Sequence, residues 1–362
     1  MTDFMTKNKE KLEQFAAMSQ AAGARNDYVQ GGGGNTSAKL AGGLMGIKAS
    51  GYCLSDIRPD KAYAVLDYEA LRRFYYGNEP AQLADVEKLG SACAKENTKL
   101  IEGMDALRPS VEAGFHSILK TFVCHTHSVY ANLAACSTAC CEIAEKAFTG
   151  ADYTWGWVPY TDPGANLTFA IRDELRRVEE KTGKVPSVIL MQNHGIIVHD
   201  DDAERCLAIH ADANERLAQQ FGIHGDSFPA ISVRQTGEEL YEADTPYLRE
   251  ALKNCRYDYK TFIETPLYPD QMVFLIGTFF MDKEGTPAEG ECYADTKTGA
   301  LVLHMGEKKA KTIAETLTAV IFIMDTVAKM GYTVSTMGEA AKSFIANWES
   351  EKYRKSLAGK KG

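Results

Sequence analysis

Apolar positions recur at helical spacing over residues 7–24, where Leu12, Phe15, Ala16 and Met18 share a face and Gly23 ends the run. Four glycines follow at 31–34, ahead of Asn35-Thr36-Ser37. Glycine in the interior of a helix or strand is destabilising, so four in a row mark a loop. Short strands are predicted at 37–40 and 44–49, with a turn at Ser50-Gly51. Residues 54–76 read as loop, strand and then helix (68–74), whereas 85–104 show no clear period. Pro109-Ser110 predicts a helix start with Ser110 as N-cap, running to residue 119. A buried strand at 121–128 leads into a helix at 128–136. Residues 158–160 are extended, Asp162-Pro163-Gly164 is a turn, and 166–181 form a helix. The apolar stretch 188–199 reads as a strand pair broken at Asn193-His194-Gly195, followed by a helix to Phe221 capped by Asp201 or Asp202. This alternation of helix and strand predicts an α/β layered domain.

The pattern changes after residue 230. A polar, proline-containing stretch leads to Tyr268-Pro269-Asp270, read as an ordinary turn ahead of an apolar strand at 273–280. A catalytic role for Asp270 is the lesser alternative. A hairpin is predicted around 283–290, a strand at 300–304, and helices at 312–330 and 339–355. The predicted organisation is a domain over 1–230 and a smaller α+β C-terminal extension over 231–362.

Composition narrows the function classes. Hydrophobic residues at 45 % and charged residues at 25 % make disorder an unlikely default, and no run of apolar residues has the length of a membrane span. A net charge of −9 argues against nucleic acid and anionic membrane as partners, so any anionic ligand needs a local pocket. The nine cysteines are scattered and odd in number, which fits reduced thiols and a cytoplasmic location better than a disulfide framework. The adjacent Cys140 and Cys141 point in different directions on either a helix or a strand, which disfavours a metal pair.

The strongest chemical signal is His125-Thr126-His127, preceded by apolar Phe122, Val123 and Cys124. On a strand, residues i and i+2 face the same way, so the two imidazoles form a clamp suited to a first-row divalent metal. His194 is the candidate third ligand, because a polar Asn-His-Gly interrupts an otherwise apolar strand. A lone buried histidine is more often a core residue, and its selection here rests on the His125/His127 pair. Glu112 stands near the start of the predicted helix, with His116 one turn on; alone it would read as a carboxylate favoured by the helix dipole. The glycine loop, the Lys48-to-Gly51 turn and Ser110 are three places suited to an anion such as phosphate.

Six short motifs in order carry a resemblance over residues 7–222. They are Gly34-Asn35-Thr36-Ser37, Lys48-Ala49-Ser50-Gly51, Pro109-Ser110-Val111-Glu112 with His116, His125-Thr126-His127, Val158-Pro159-Tyr160 and Asn193-His194-Gly195. Together they resemble the class II aldolase/adducin family, which includes fuculose- and rhamnulose-phosphate aldolases, ribulose-phosphate 4-epimerases and a thioribulose-phosphate dehydratase. The resemblance implies a three-layer α/β/α fold and a homo-oligomer, a tetramer being favoured. It implies that His125, His127 and His194 ligate Zn2+ or another divalent metal, with Glu112 as ligand and base. It places Gly34, Asn35, Ser50, Gly51 and Ser110 at the substrate phosphate. The implied activity is aldol cleavage of a ketose 1-phosphate or similar small sugar phosphate through an enediolate. Epimerase, dehydratase and decarboxylase chemistry on the same metal site remain alternatives, as does a non-catalytic adducin-like scaffold. Retention of all three histidines and the acid argues against the scaffold, and Glu rather than Asp at position 112 leans away from the epimerase. Val111 departs from the family's usual second serine. The segment after residue 230 is an addition to the family's usual chain. It resembles the C-terminal aldolase part of fused rhamnulose-phosphate aldolase/alcohol dehydrogenase proteins, notably at Asn347-Trp348, Glu351, Tyr353 and Arg354.

Overall fold

A computed structural model describes residues 3–347; Trp348, Glu351, Tyr353 and Arg354 of the C-terminal motif lie outside the described residues. The first eight strands are β1 (Asn35–Leu40), β2 (Leu44–Lys48), β3 (Tyr63–Asp67), β4 (Thr98–Lys99), β5 (Phe122–Thr126), β6 (Trp155–Val158), β7 (Val188–Met191) and β8 (Gly195–Asp200). They form one sheet in the order β4-β3-β2-β1-β5-β8-β7-β6. Neighbours are antiparallel except β6 and β7, which run parallel.

Strand alternation divides the apolar side chains between two layers of helix. Phe122 and Cys124 of β5, Leu190 of β7 and Val198 of β8 join one core, while Val123, Ile189, Met191 and Ile197 join another. The first face carries the helices Lys9–Gly23, Val129–Ala135 and Ala203–Gln219; the second carries Tyr68–Gly77, Val86–Glu96, Ala113–Ile118 and Ala165–Thr182. The result is the α/β layered domain predicted from the alternation of elements, in the three-layer α/β/α form that the resemblance implied.

The extension builds a second sheet from β9 (Val233–Gly237), β10 (Leu240–Ala243), β11 (Phe279–Met281), β12 (Cys292–Ala294) and β13 (Leu301–His304), in the order β11-β12-β13-β10-β9. The helix Glu307–Lys329 buries Ile313, Leu317, Val320 and Ile321 in the same apolar cluster as Phe15 and Leu133 of the first layer. Extension and α/β/α unit therefore share one continuous core. Among the described residues, no helix is long and apolar enough to cross a membrane.

Four local expectations need correction. The stretch 85–104 contains a helix, Val86–Glu96, started by the Asp85 side chain accepting from Lys88 N. The helix after Pro109 begins only at Ala113. Ser110 instead shapes the turn before it, its carbonyl accepting from Ala113 N at 3.1 Å and its hydroxyl from Glu112 N at 3.3 Å. The predicted strand at 273–280 is mostly helix, Pro269–Leu275. Pro269 at its start suits the first turn, where no N–H is needed, and Gly277 at φ +77 breaks the chain away. The segment 283–290 is not a hairpin, because β11 and β12 pair in parallel and the chain between them crosses over.

Two buried histidines set an acid limit on stability. Burial pushes both His199 and His210 down to about 3. His210 Nε2 bonds Thr126 Oγ1 at 2.7 Å, and Tyr28 packs edge-on against its ring. Their folded pKa values lie below the unfolded value near 6.5, so stability is complete above that pH and declines as pH falls toward 3. Urea unfolding from pH 7 to pH 4 is expected to show H199Q/H210Q taking up about two fewer protons on unfolding than the wild type. An identical pH slope in the two proteins contradicts this.

Candidate metal centre

The sheet topology explains why distant motifs meet. β1 begins, and β2, β5 and β7 end, at the same edge of the sheet, where β8 starts. The register pairs Asn35 with His125, and Ala49 bridges Pro109 just before Ser110. Ser50 N donates to Arg108 O at 2.9 Å. The glycine loop, the Ser50-Gly51 turn, Ser110 and the histidine strand are thus gathered at one end. Gly34 is required there by geometry: its φ is +66, and a Cβ would lie 2.5 Å from His125 O.

His125, His127 and His194 are buried and offer ring nitrogens that all lie within 4.8 Å of one another. His125 Nδ1–H donates to Ile196 O at 3.0 Å, and His127 Nδ1–H donates to Asp270 Oδ2 at 2.5 Å. In both rings the hydrogen-bond pattern therefore assigns the lone pair to Nε2, the atom facing the centre. His194 follows Asn193, which sits in the left-handed region at φ +51. The Asn193 amide donates to Leu267 O and Ser335 O, each at 2.8 Å, and its oxygen accepts from Ser335 Oγ at 3.0 Å.

Glu112 completes the cluster. Its Oε2 accepts from Asn35 Nδ2 at 2.6 Å and lies 3.6 Å from His125 Nε2; its Oε1 lies 3.3 Å from His194 Nε2. Asn35 is oriented in turn by His116, whose Nε2 bonds Asn35 Oδ1 while Nδ1 bonds Ser37 Oγ at 2.7 Å. With Nδ2 engaged on Glu112 and on Ser110 Oγ at 3.2 Å, the Asn35 side chain positions the acid rather than presenting its amide to an anion. Burial alone would push the Glu112 carboxyl up, but the imidazoles of His125 and His194 and the Asn35 amide outweigh it and bring it down to about 2. Burial keeps His125 neutral, down to about 4, and holds His194 well below the usual histidine range.

These residues fit a divalent metal. Tetrahedral zinc with bonds of about 2.0–2.1 Å separates its ligand atoms by about 3.3–3.4 Å. The observed spacings are 3.2 Å between His125 Nε2 and His127 Nε2, and 3.3 and 3.6 Å from Glu112 to the neighbouring ring nitrogens. Glu112 Oε1 has no hydrogen-bond partner among the described residues, which is costly for a buried carboxylate oxygen unless a cation faces it.

The anion-suited turns lie beside this cluster, but part of the glycine loop is already engaged. Gly31 N donates to Glu315 Oε2 at 2.9 Å, and Gly33 N to Gln30 O at 3.1 Å. The buried Lys48 Nζ donates to the carbonyls of Tyr52 at 2.8 Å and Gly32 at 3.2 Å, tying the loop to the next turn. The Tyr153 hydroxyl donates to Asp212 Oδ2 at 2.8 Å. Tyr160 donates to Asp162 at 3.3 Å. Asp270, read from sequence as a turn residue, is the participant that sequence reasoning undervalued; the only sequence signal was a Pro-Asp pair.

Residues 13–221 match the family model described as Class II Aldolase and Adducin N-terminal domain. No curated protein sequence matches the chain. Similar solved structures include the N-terminal class II aldolase domain of a conserved protein from Thermoplasma acidophilum, at 19% identity and a TM-score of 0.47, covering 57% of this chain and 92% of that one. An aldolase II superfamily protein from Pseudomonas syringae is 15% identical, with a TM-score of 0.42 over 60% of this chain and 75% of that one. L-fuculose 1-phosphate aldolase from Glaciozyma antarctica is 12% identical, with a TM-score of 0.39 over 61% of this chain and 75% of that one.

The approach of the glycine loop to the histidine strand predicts the effect of a single methyl group. Gly34→Ala is expected to destabilise the fold by about 1–3 kcal/mol, through a positive φ and overlap with backbone. A melting temperature equal to that of the wild type contradicts this.

Proposed function

Because the chain belongs to the class II aldolase and adducin family, we propose that it is a zinc-dependent aldehyde-lyase acting on a ketose 1-phosphate or a similar small sugar phosphate. The observation that carries the reading is the convergence of His125, His127 and His194 within 4.8 Å, with Glu112 Oε1 beside them lacking a hydrogen-bond partner among the described residues. A scaffold has no use for that arrangement, since it buries a carboxylate without full compensation. On this reading residues 1–230 are the catalytic unit, 231–362 an extension, and the working form a cytoplasmic homo-oligomer, with a tetramer favoured.

The divalent ion would be held by the three Nε2 atoms and Glu112, and supplies Lewis acidity at the substrate carbonyl when bound. The protein's own groups do the rest. Asn35 holds Glu112 through Oε2, and Oε1, which would give up its place at the ion to the substrate, is the atom that moves a proton. In the synthetic direction Glu112 Oε1 removes a proton from the carbon beside the ketone. The freed electron pair attacks an aldehyde carbon, and the aldehyde oxygen is protonated; cleavage is the reverse. The backbone turns at Gly34 and Ser50-Gly51, with Ser110, hold the phosphate and fix the orientation of the reacting carbon. Lys48, buried against the glycine loop, supports an anion at this end of the sheet.

The test is Glu112→Gln in zinc-loaded protein, assayed for release of dihydroxyacetone phosphate from a panel of ketose 1-phosphates. Turnover is expected to fall by about 10²–10⁴-fold, the usual contribution of a general base. Full turnover in E112Q with metal retained contradicts the role of Glu112. A wild type that binds no divalent metal and cleaves none of the panel contradicts the function.

A further inference from the structure

The extension does more than pack against the α/β/α unit: its segment 266–270 enters the metal centre. Leu267 N is fixed by Gln271 Oε1 at 2.8 Å, while Gln271 Nε2 donates to Phe262 O at 2.8 Å. These bonds set the entry to the helix Pro269–Leu275, and Asp270 in its first turn points inward. Asp270 is 1 % exposed, and its Oδ2 accepts from His127 Nδ1 across 143 residues of sequence. The glycine loop has no side chain at this point. A Cβ on Gly33 would collide with Asp270 Oδ2 and lie 3.0 Å from His127 Nδ1. The same segment offers Leu267 O to Asn193, the residue that sets the backbone before His194. One short stretch of the extension therefore grips both ligand-bearing turns, and it lies outside the residues 13–221 that match the family model.

We infer that Asp270 is a positioning residue for the metal centre, holding His127 in the Nδ1–H form with Nε2 aimed at the ion. The inference rests on the metal-dependent reading of the site. Two physical effects combine. The carboxylate fixes the ring's tautomer and rotation, which are otherwise set only by packing. Its charge also makes the distal nitrogen a stronger donor, as carboxylates behind metal-bound histidines do. Asp270 and Glu112 are both buried beside the three imidazoles, a setting in which a divalent cation would offset two carboxylates. In this chain a residue from the added segment is thereby part of the site.

The test uses full-length protein stripped of metal and titrated with zinc against a chromophoric chelator. The wild type is compared with Asp270→Asn, which keeps the shape and removes the charge, and with Asp270→Ser, which also shortens the side chain. Each variant is expected to bind zinc about 10–100-fold more weakly. The visible spectrum of the cobalt-loaded protein is expected to shift, while the metal-free proteins keep the wild-type circular dichroism. Affinity within about twofold of the wild type in the folded variants, with an unchanged cobalt spectrum, overturns the inference and leaves the metal reading intact. Should one variant fail to fold, the other carries the same comparison. A wild type that binds no zinc in this titration, matching His125→Ala and His194→Ala, overturns the metal reading and the inference with it.

Discussion

Buried, imperfectly compensated negative charge organises this structure. Glu112 and Asp270 lie at 5 % and 1 % exposure around three imidazoles, two of which burial holds neutral. Removing carboxylates from water is costly unless a positive charge or several donors meet them. Asn35 supplies one donor to Glu112, and His127 supplies one to Asp270. The remaining demand would be met by a divalent cation at the point where the imidazole Nε2 atoms converge. With that cation, acid and histidines would form one electrostatic unit, and the surrounding fold is the means of bringing the side chains together.

An antiparallel arrangement does this economically. Because β1 starts where β2, β5 and β7 end, the loops leaving these strands lie side by side. The polar groups there are held in relay: Ser37 to His116, His116 to Asn35, Asn35 to Glu112. Each member of that relay is buried, so each bond restricts the next side chain to a single orientation. The extension adds a second relay, through Asp270 and the grip of Leu267 and Ser335 on Asn193. Acid and histidines are thus each held by a network of their own, which keeps the side chains of the cluster from drifting.

Part of this was legible in the sequence for definite reasons. Two histidines two residues apart on an apolar strand must share a face, and His125 and His127 do. A polar triplet inside an apolar run marks a place where local preference yields to something else, and His194 is found in the cluster. Glu112 was not legible from residues alone, because an acid near a helix start has an ordinary explanation; only the ordered motifs singled it out. Asn35 was legible as a site position, but its engagement with the acid depends on a register between β1 and β5 that no local pattern encodes. Asp270 was hardest. The seven-residue helix Pro269–Leu275 is too short to show a helical period, its Val273 and Phe274 favour strands, and the partner of Asp270 is remote in the chain. The parallel pairing of β11 and β12 was hidden for the same reason, since pairing direction is decided by tertiary packing.

On the proposed reading, three imidazoles and one carboxylate bind a single ion. X-ray absorption at the zinc edge of the zinc-loaded protein tests it most directly. A shell of nitrogen and oxygen at about 2.0–2.1 Å with the outer-shell scattering of three imidazoles is expected. A sulfur shell at about 2.3 Å, or fewer than three imidazoles around the ion, would contradict it.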